Sequence, residues 1–283
     1  MIRGYVFIIS AAILWGLIGI FSCLAFAEGL GPMEVAFWRA VITWFCFGAQ
    51  AAVKKELGFD KKDFPLAAVF AFLGVSVFYI SYQLAVKSGG AALASVLLYT
   101  APAWVVVCSF FIYKERLTAL KITAVISVIL GVYLISKSGA GSTGERSIGL
   151  AAILWGLTSG FCYSLYYTIG KYFSKKYSGA NLFVWVLPMG ALGILPFVDF
   201  VPKSGTAWMI LILVSIFSTF LANQCYYQGL KHLEAGRASI VATLEPVVAA
   251  VTAYILFGEA FTLLGYGGAG LILAAVLLTI YKE

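Results

Sequence analysis

Apolar residues in this chain come in long runs, not at the spacing of a half-buried strand or a one-faced helix. Ten runs can be marked off, at about 4–27, 32–53, 64–86, 91–113, 118–136, 148–170, 180–200, 206–230, 236–257 and 262–281. A helix crosses the hydrocarbon of a bilayer with roughly 20 mainly apolar residues, so each run reads as one crossing. The breaks hold residues that interrupt helices or mark exit from lipid. Examples are Gly29-Leu30-Gly31-Pro32, the stretch Lys54 to Asp63, Lys87-Ser88-Gly89-Gly90, and Ser138 to Ser147. The pattern predicts an all-α polytopic membrane protein of ten transmembrane helices. Arg3 followed by an apolar run and Ala25-Phe26-Ala27 has the outline of a cleaved leader. The run exceeds the ~7–15 residues of a leader's apolar core, and it is read as the first span.

Composition agrees. Of 283 residues 62% are hydrophobic and 11% charged, where a soluble domain carries about 25% charge to wet its surface. That excludes a soluble enzyme, a disordered chain and a nucleic-acid binder. The net charge of +7 is a matter of placement. Fourteen lysines and arginines fall at the termini and in the even-numbered breaks. Four (Lys87, Lys137, Arg146, Lys203) fall in the odd-numbered breaks, and Arg39 lies within a span. Under the positive-inside rule this puts both termini in the cytoplasm, with the basic residues facing lipid headgroups. Cys23, Cys46, Cys108, Cys162 and Cys225 all sit in apolar runs without a CxxC, so neither a disulfide framework nor a metal site is expected. His232, the single histidine, is given no role.

The chain repeats itself. Residues 11–17, Ala-Ala-Ile-Leu-Trp-Gly-Leu, recur identically at 151–157. Tyr82-Gln83 matches Tyr227-Gln228, and Ala94-Ser95, Pro102 and Glu115 match Ala238-Ser239, Pro246 and Glu259. Two halves follow, 4–136 and 148–281, with five spans each. Five is odd, so the second half enters the membrane from the opposite face. Inverted-topology repeats are typical of secondary transporters, with the substrate near the midplane where the halves meet.

Several motifs carry a family resemblance: Leu-Trp-Gly at 14–16 and 154–156, Phe37-Trp38-Arg39, the Pro-to-Glu stretches 102–115 and 246–259, and Leu244-Glu245-Pro246 before Gly258-Glu259. With these the chain resembles the EamA-like transporters of the drug/metabolite transporter superfamily over nearly its whole length. The resemblance implies two five-helix repeats and export of amino acids or similar metabolites. It separates substrates poorly. The chain departs from the pattern at Ala101 and Lys114, where the second half has Glu245 and Gly258, and the seventh span lacks a counterpart of Arg39.

Polar groups inside hydrocarbon are costly and point to function. Glu245, near the middle of the ninth span, is the candidate for proton coupling or for recognising a positive charge. Its alternative role is to brace the kink that Pro246 imposes. Arg39, roughly 10 Å into the second span, either attracts an anionic group, snorkels, or pairs with Glu34 or another carboxylate. Tyr79, Tyr82 and Gln83 share a helix face, and Gln224, Tyr227 and Gln228 repeat it beside Asn223. These residues, with Tyr99, Tyr163 and the repeated Trp15 and Trp155, are the candidate lining of a substrate cavity. The competing reading is helix-to-helix hydrogen bonding. Gly265-x-Gly267-x-x-Gly270 fits a dinucleotide fingerprint but follows no strand, so it is read as a stripe for close helix approach.

No HExxH, GxSxG or Walker A motif occurs, which argues against an intramembrane enzyme and against ATP hydrolysis. No filter motif points to a channel. The expected protein is a secondary transporter of the cytoplasmic membrane, without cofactor or metal. Its partners are a small-molecule substrate, lipid and, as candidate coupling ion, the proton. An acidic, tyrosine-rich cavity also suits a cationic amine or quaternary ammonium compound.

Overall fold

The computed structural model describes residues 2–138, 149–257 and 262–281, and they contain helices and turns but no strand. Arg146, Gly258, Glu259 and Lys282 lie outside the described residues. The first span is α1 (Ile2–Gly16) and α2 (Ile18–Ala27), stepped at Leu17; α3 (Pro32–Lys54) is the second. The third begins with α4 (Phe64–Val69), continues as a π-helical segment (Phe70–Val77) and runs into α5 (Phe78–Leu98). Then come α6 (Ala101–Tyr113) and α7 (Ala119–Ser138). The second half holds α8 (Leu150–Ser174), α9 (Gly179–Ile194), α10 (Gly205–Ser215), a π segment (Ile216–Leu221), α11 (Ala222–His232), α12 (Ala235–Ala242), α13 (Glu245–Phe257) and α14 (Leu263–Tyr281).

Among the described residues, seven helical stretches are long and apolar enough to cross a membrane: Ile2–Ala27, Pro32–Lys54, Phe64–Ala85, Val96–Tyr113, Gly179–Phe197, Gly205–His232 and Leu263–Tyr281. Ala119–Leu134 is apolar but shorter. The expected sixth and ninth spans are helical yet fall outside this set. They carry Thr158, Ser159, Tyr163, Ser164 and Lys171 in one and Arg237, Ser239 and Glu245 in the other. Both pack between other helices, where polar side chains find protein partners. Large apolar side chains such as Phe45, Phe72, Phe111, Leu192 and Leu277 point outward, while Arg39, Thr43, Ser76, Ser159 and Ser218 are buried. Apolar out and polar in suits a surface wetted by lipid.

The expected break at Lys87-Ser88-Gly89-Gly90 is not made: α5 runs through it. Two glycines cost a helix about 1 kcal/mol each but do not stop it. No proline stands nearby, and Ser88 Oγ donates to the Leu84 carbonyl one turn back. At the corresponding place in the second half the chain does open, with Leu233 and Glu234 extended.

Two irregularities recur at repeat-related positions. The π segments interrupt the third and eighth spans, and hydroxyl groups pin each to a helix of the other half. Ser76 Oγ donates to the Gly190 carbonyl of α9 (2.9 Å), and Thr43 Oγ1 of α3 donates to the Ser215 carbonyl (3.2 Å). Breaks also interrupt the fourth and ninth spans, at Tyr99-Thr100 and Thr243-Leu244. Short-range bonds close these turns, Thr100 N–H to Leu97 and Thr243 N–H to Ile240. The proline that follows, Pro102 or Pro246, withholds one more helical hydrogen bond.

Packing across the halves is reciprocal. α1 lies on α11, and α8 lies on α5 and its π segment; α3 pairs with α9, and α7 with α14. The repeated Trp-Gly motif serves this packing. A Cβ on Gly16 would stand 2.9 Å from the Glu245 carbonyl oxygen, and one on Gly160, a turn beyond Gly156, 2.6 Å from that of Leu97. Within the glycine stripe of α14, Gly268 abuts Gly131 of α7, whereas Gly267 and Gly270 face open space.

Candidate functional site

The break in the ninth span places Glu245 in the first turn of α13, in the interior of the helix assembly. A helix N-terminus carries partial positive charge, so a carboxyl group is favoured there. Tyr163 of α8 donates its hydroxyl to Glu245 Oε2 (3.4 Å), and Tyr167 donates to the Tyr163 hydroxyl (3.3 Å). Tyr99, at the matching break, also reaches the carboxyl group, and Arg39 lies within electrostatic reach. Tyr99, Ala101, Pro102, Tyr163, Tyr167, Ser239, Ala242 and Thr243 wall a crevice that leaves no room for a water molecule. The two broken spans thus meet α8 at a closed polar seam.

Arg39 forms a second focus and is 7% exposed. Its Nε donates to Thr219 Oγ1 in the second π segment (3.2 Å), and its guanidinium lies 5.8 Å from the centre of the Tyr79 ring, just beyond the first π segment. Glu34 is not its partner. Five residues apart on α3, the two side chains point some 140° apart, and Glu34 pairs with Lys203 (2.5 Å). Trp38, Phe200 and Trp208 surround that lysine with ring centres 5.3–5.6 Å away. Aromatic rings connect the two foci: Tyr79 to Phe78 (5.1 Å), and Phe78 stacked on Tyr163 (5.3 Å), which bonds Glu245.

Other candidates fall elsewhere. Tyr82 acts electrostatically on Tyr99 and lies near Glu245; Gln83 beside it is partly buried. Asn223 is buried, Gln224 donates to the Gln50 side chain, and Tyr227 is buried against Phe183. Trp15 is buried against Tyr226. Trp155 and Gln228 are exposed and stand apart from both foci. Phe78 and Thr219 belong to the site although neither residue type drew notice in the sequence. The repeat would have flagged the helix that carries each, but not the residue.

Polar braces close one end of the assembly. Glu115 accepts from the Ala235 and Gly236 N–H groups at the start of α12 and pairs with Lys121, which also pairs with Glu234. Asp63 accepts from Tyr177 (2.7 Å), Tyr172 (2.9 Å) and Lys176 (2.9 Å). Burial pushes the Asp63 carboxyl up, but hydrogen bonds from Tyr177, Lys176 and Tyr172 and the charge of Lys176 outweigh it and hold it below its ordinary range. All five cysteines are free thiols.

Long apolar helices, polar groups turned inward and two matched helix breaks define a multi-pass membrane protein with a buried polar seam. The chain belongs to the EamA-like transporter family, whose model matches residues 2–137 and again 150–281; that family lies within the drug/metabolite transporter superfamily. Among similar proteins is an uncharacterized transporter of Archaeoglobus fulgidus, 28% identical over 274 residues, 95% of each chain. The uncharacterized inner membrane transporter YicL of Salmonella typhimurium is 26% identical and covers 98% of this chain and 94% of its own. A solved crystal structure, 16% identical, superposes with a TM-score of 0.84 over 97% of this chain and 95% of the other, which establishes the fold.

Proposed function

We propose that this transporter moves a small metabolite, an amino acid or a related compound, out across the cytoplasmic membrane by alternating access, driven by a proton gradient instead of ATP. Glu245 carries the reading. It is a carboxyl group at the N-terminus of a half-helix, hydrogen-bonded by Tyr163 and placed where both halves meet. Reciprocal packing of α1 on α11 and of α8 on α5 supports an inverted pair of repeats, 4–136 and 148–281, that rock against each other. The charge distribution supports cytoplasmic termini. The closed seam fits an occluded stage, with the carboxyl group exposed to one side and then the other as the halves tilt. Each exposure lets it release or take up a proton, or exchange one for the substrate.

Glu245→Gln keeps size and hydrogen-bonding capacity but removes titration. In nucleotide-free proteoliposomes the variant should lose accumulation driven by a pH gradient while keeping substrate exchange. Unchanged gradient-driven accumulation would leave Glu245 a brace for the Pro246 kink.

A further inference from the structure

The same device stands at both ends of the molecule, at repeat-related positions. Glu34 is the third residue of α3 and Asn181 the third of α9, and each holds the connector that leaves the other's helix. Glu34 accepts from the Val201 N–H (3.4 Å) and pairs with Lys203 (2.5 Å). Asn181 donates its amide hydrogens to the Glu56 and Gly58 carbonyls (2.7 Å each). Four residues further along each helix a tryptophan packs over the held connector. Trp38 meets Phe200 and Trp208 (ring centres 6.2 and 4.8 Å away), and Trp185 meets Phe59 and Phe64 (6.3 and 6.1 Å). The residues that open the third and eighth spans complete the two sets. Asp63 accepts from Tyr172, Lys176 and Tyr177 at the end of α8, and Ser204 donates to Glu28 at the end of α2. All these contacts join one half of the chain to the other.

The two clamps share a plan and differ in chemistry. Under the proposed sidedness the Glu34 clamp faces outward and the Asn181 clamp inward. The outer one turns on a buried ion pair, the inner one on a neutral amide backed by Asp63. Both are also under-bonded. The indole N–H groups of Trp38 and Trp185, Asn181 Oδ1 and Glu56 Oε2 are enclosed without a hydrogen-bond partner among the described residues. Enclosing such atoms unpaired is costly. A permanent brace gains nothing from that cost, whereas an interface that opens recovers it when water reaches these atoms.

We infer that the two clamps are the latches of two gates, and that the Glu34–Lys203 pair controls access to the Glu245 seam from outside. This rests on the alternating-access reading above and names the residues that hold each end shut. Both latches are closed in this structure, in keeping with the closed seam. Which end opens depends on which clamp gives way, so weakening one should bias the protein toward its own side.

The test places a single reporter cysteine at Ala242, on the wall of the seam, in full-length protein whose five native cysteines are replaced. A membrane-impermeant maleimide is added to right-side-out or inverted vesicles and the labelling rate is measured. Glu34→Gln should raise labelling from outside more than tenfold and lower it from inside, because it strands the buried Lys203 charge in the closed state. Asn181→Ala should shift the balance about threefold the other way, since Asp63 still holds the inner clamp. Lys203→Gln should match Glu34→Gln, and the double variant should add little to either, as expected of one pair acting as a unit. Should Glu34→Gln fail to fold, the double variant, which strands no charge, carries the same expectation. Equal rises from both sides would mean general loosening and overturn the assignment. So would labelling that Glu34→Gln leaves unchanged, or fully additive effects of the two outer substitutions. Labelling needs neither substrate nor pH gradient, so the latches can fail this test while Glu245→Gln still reveals coupling, and the reverse.

Discussion

Asp63 shows how much a single buried acid can bind together. Its carboxyl group ties the start of α4 to the end of α8 through two tyrosines and a lysine. Being more acidic folded than unfolded, it stabilises the fold fully above the unfolded value of about 3.9, and that contribution fades as pH falls through the lower, folded value. Asp63→Asn should therefore destabilise the protein at neutral pH by about 1–3 kcal/mol, with the gap from wild type narrowing in acid. Melting curves at the two pH values check this; an equal gap at both would mean the side chain acts by shape alone. At this scale the sequence exposes Glu245 and Arg39 because charge in an apolar run is conspicuous. It does not expose their neighbours. Phe78 looks like any apolar residue, and Thr219 becomes a ligand of Arg39 only because α3 crosses the second π segment.

Among the elements, the broken spans matter most. Pro246 makes the irregularity of the ninth span readable in advance, since proline cannot complete the helical ladder, and its repeat partner Pro102 follows the matching break in the fourth. The π segments are not readable, because they depend on hydroxyls such as Ser76 finding carbonyls on a distant helix. The continuity of α5 through Gly89-Gly90 was hidden for a related reason: glycine permits a turn without requiring one. Gly16 tests the importance of close approach to a break. Gly16→Val would push side-chain atoms into Val248 and the Glu245 carbonyl, and it should cost about 1–3 kcal/mol and depress transport. Gly267→Ala, facing open space, should change neither. Thermal stability and vesicle transport of the two variants measure the difference.

For the whole molecule, length and apolar runs made the helical membrane class plain, because a bilayer imposes a fixed length on anything that crosses it. Two helices escape that reasoning. α8 and the α12–α13 pair keep an apolar outer face but pack their other side against several helices, and there they carry the tyrosines, serines and Glu245 that make the seam. The proposed sidedness rests on the placement of the lysines and arginines. Reporter fusions at the C-terminus and within residues 137–147 should lie on opposite sides of the membrane, the C-terminus inside. Finding both on one side would overturn the five-plus-five arrangement.

The crosswise packing of α1 on α11 and α8 on α5 bears on how the protein is made. The ribosome delivers the first five spans before the helices they lean on exist. Until α11 is inserted, α1 has no lasting neighbour, and Arg39 waits for Thr219 with its charge inside the bilayer or drawn to its edge. The contacts that cross between the halves form only once the second half is inserted, and the bond of Arg39 to Thr219 is among them. A truncated chain is exposed to quality control throughout that interval. Packing that runs across the halves makes each of them an orphan without the other.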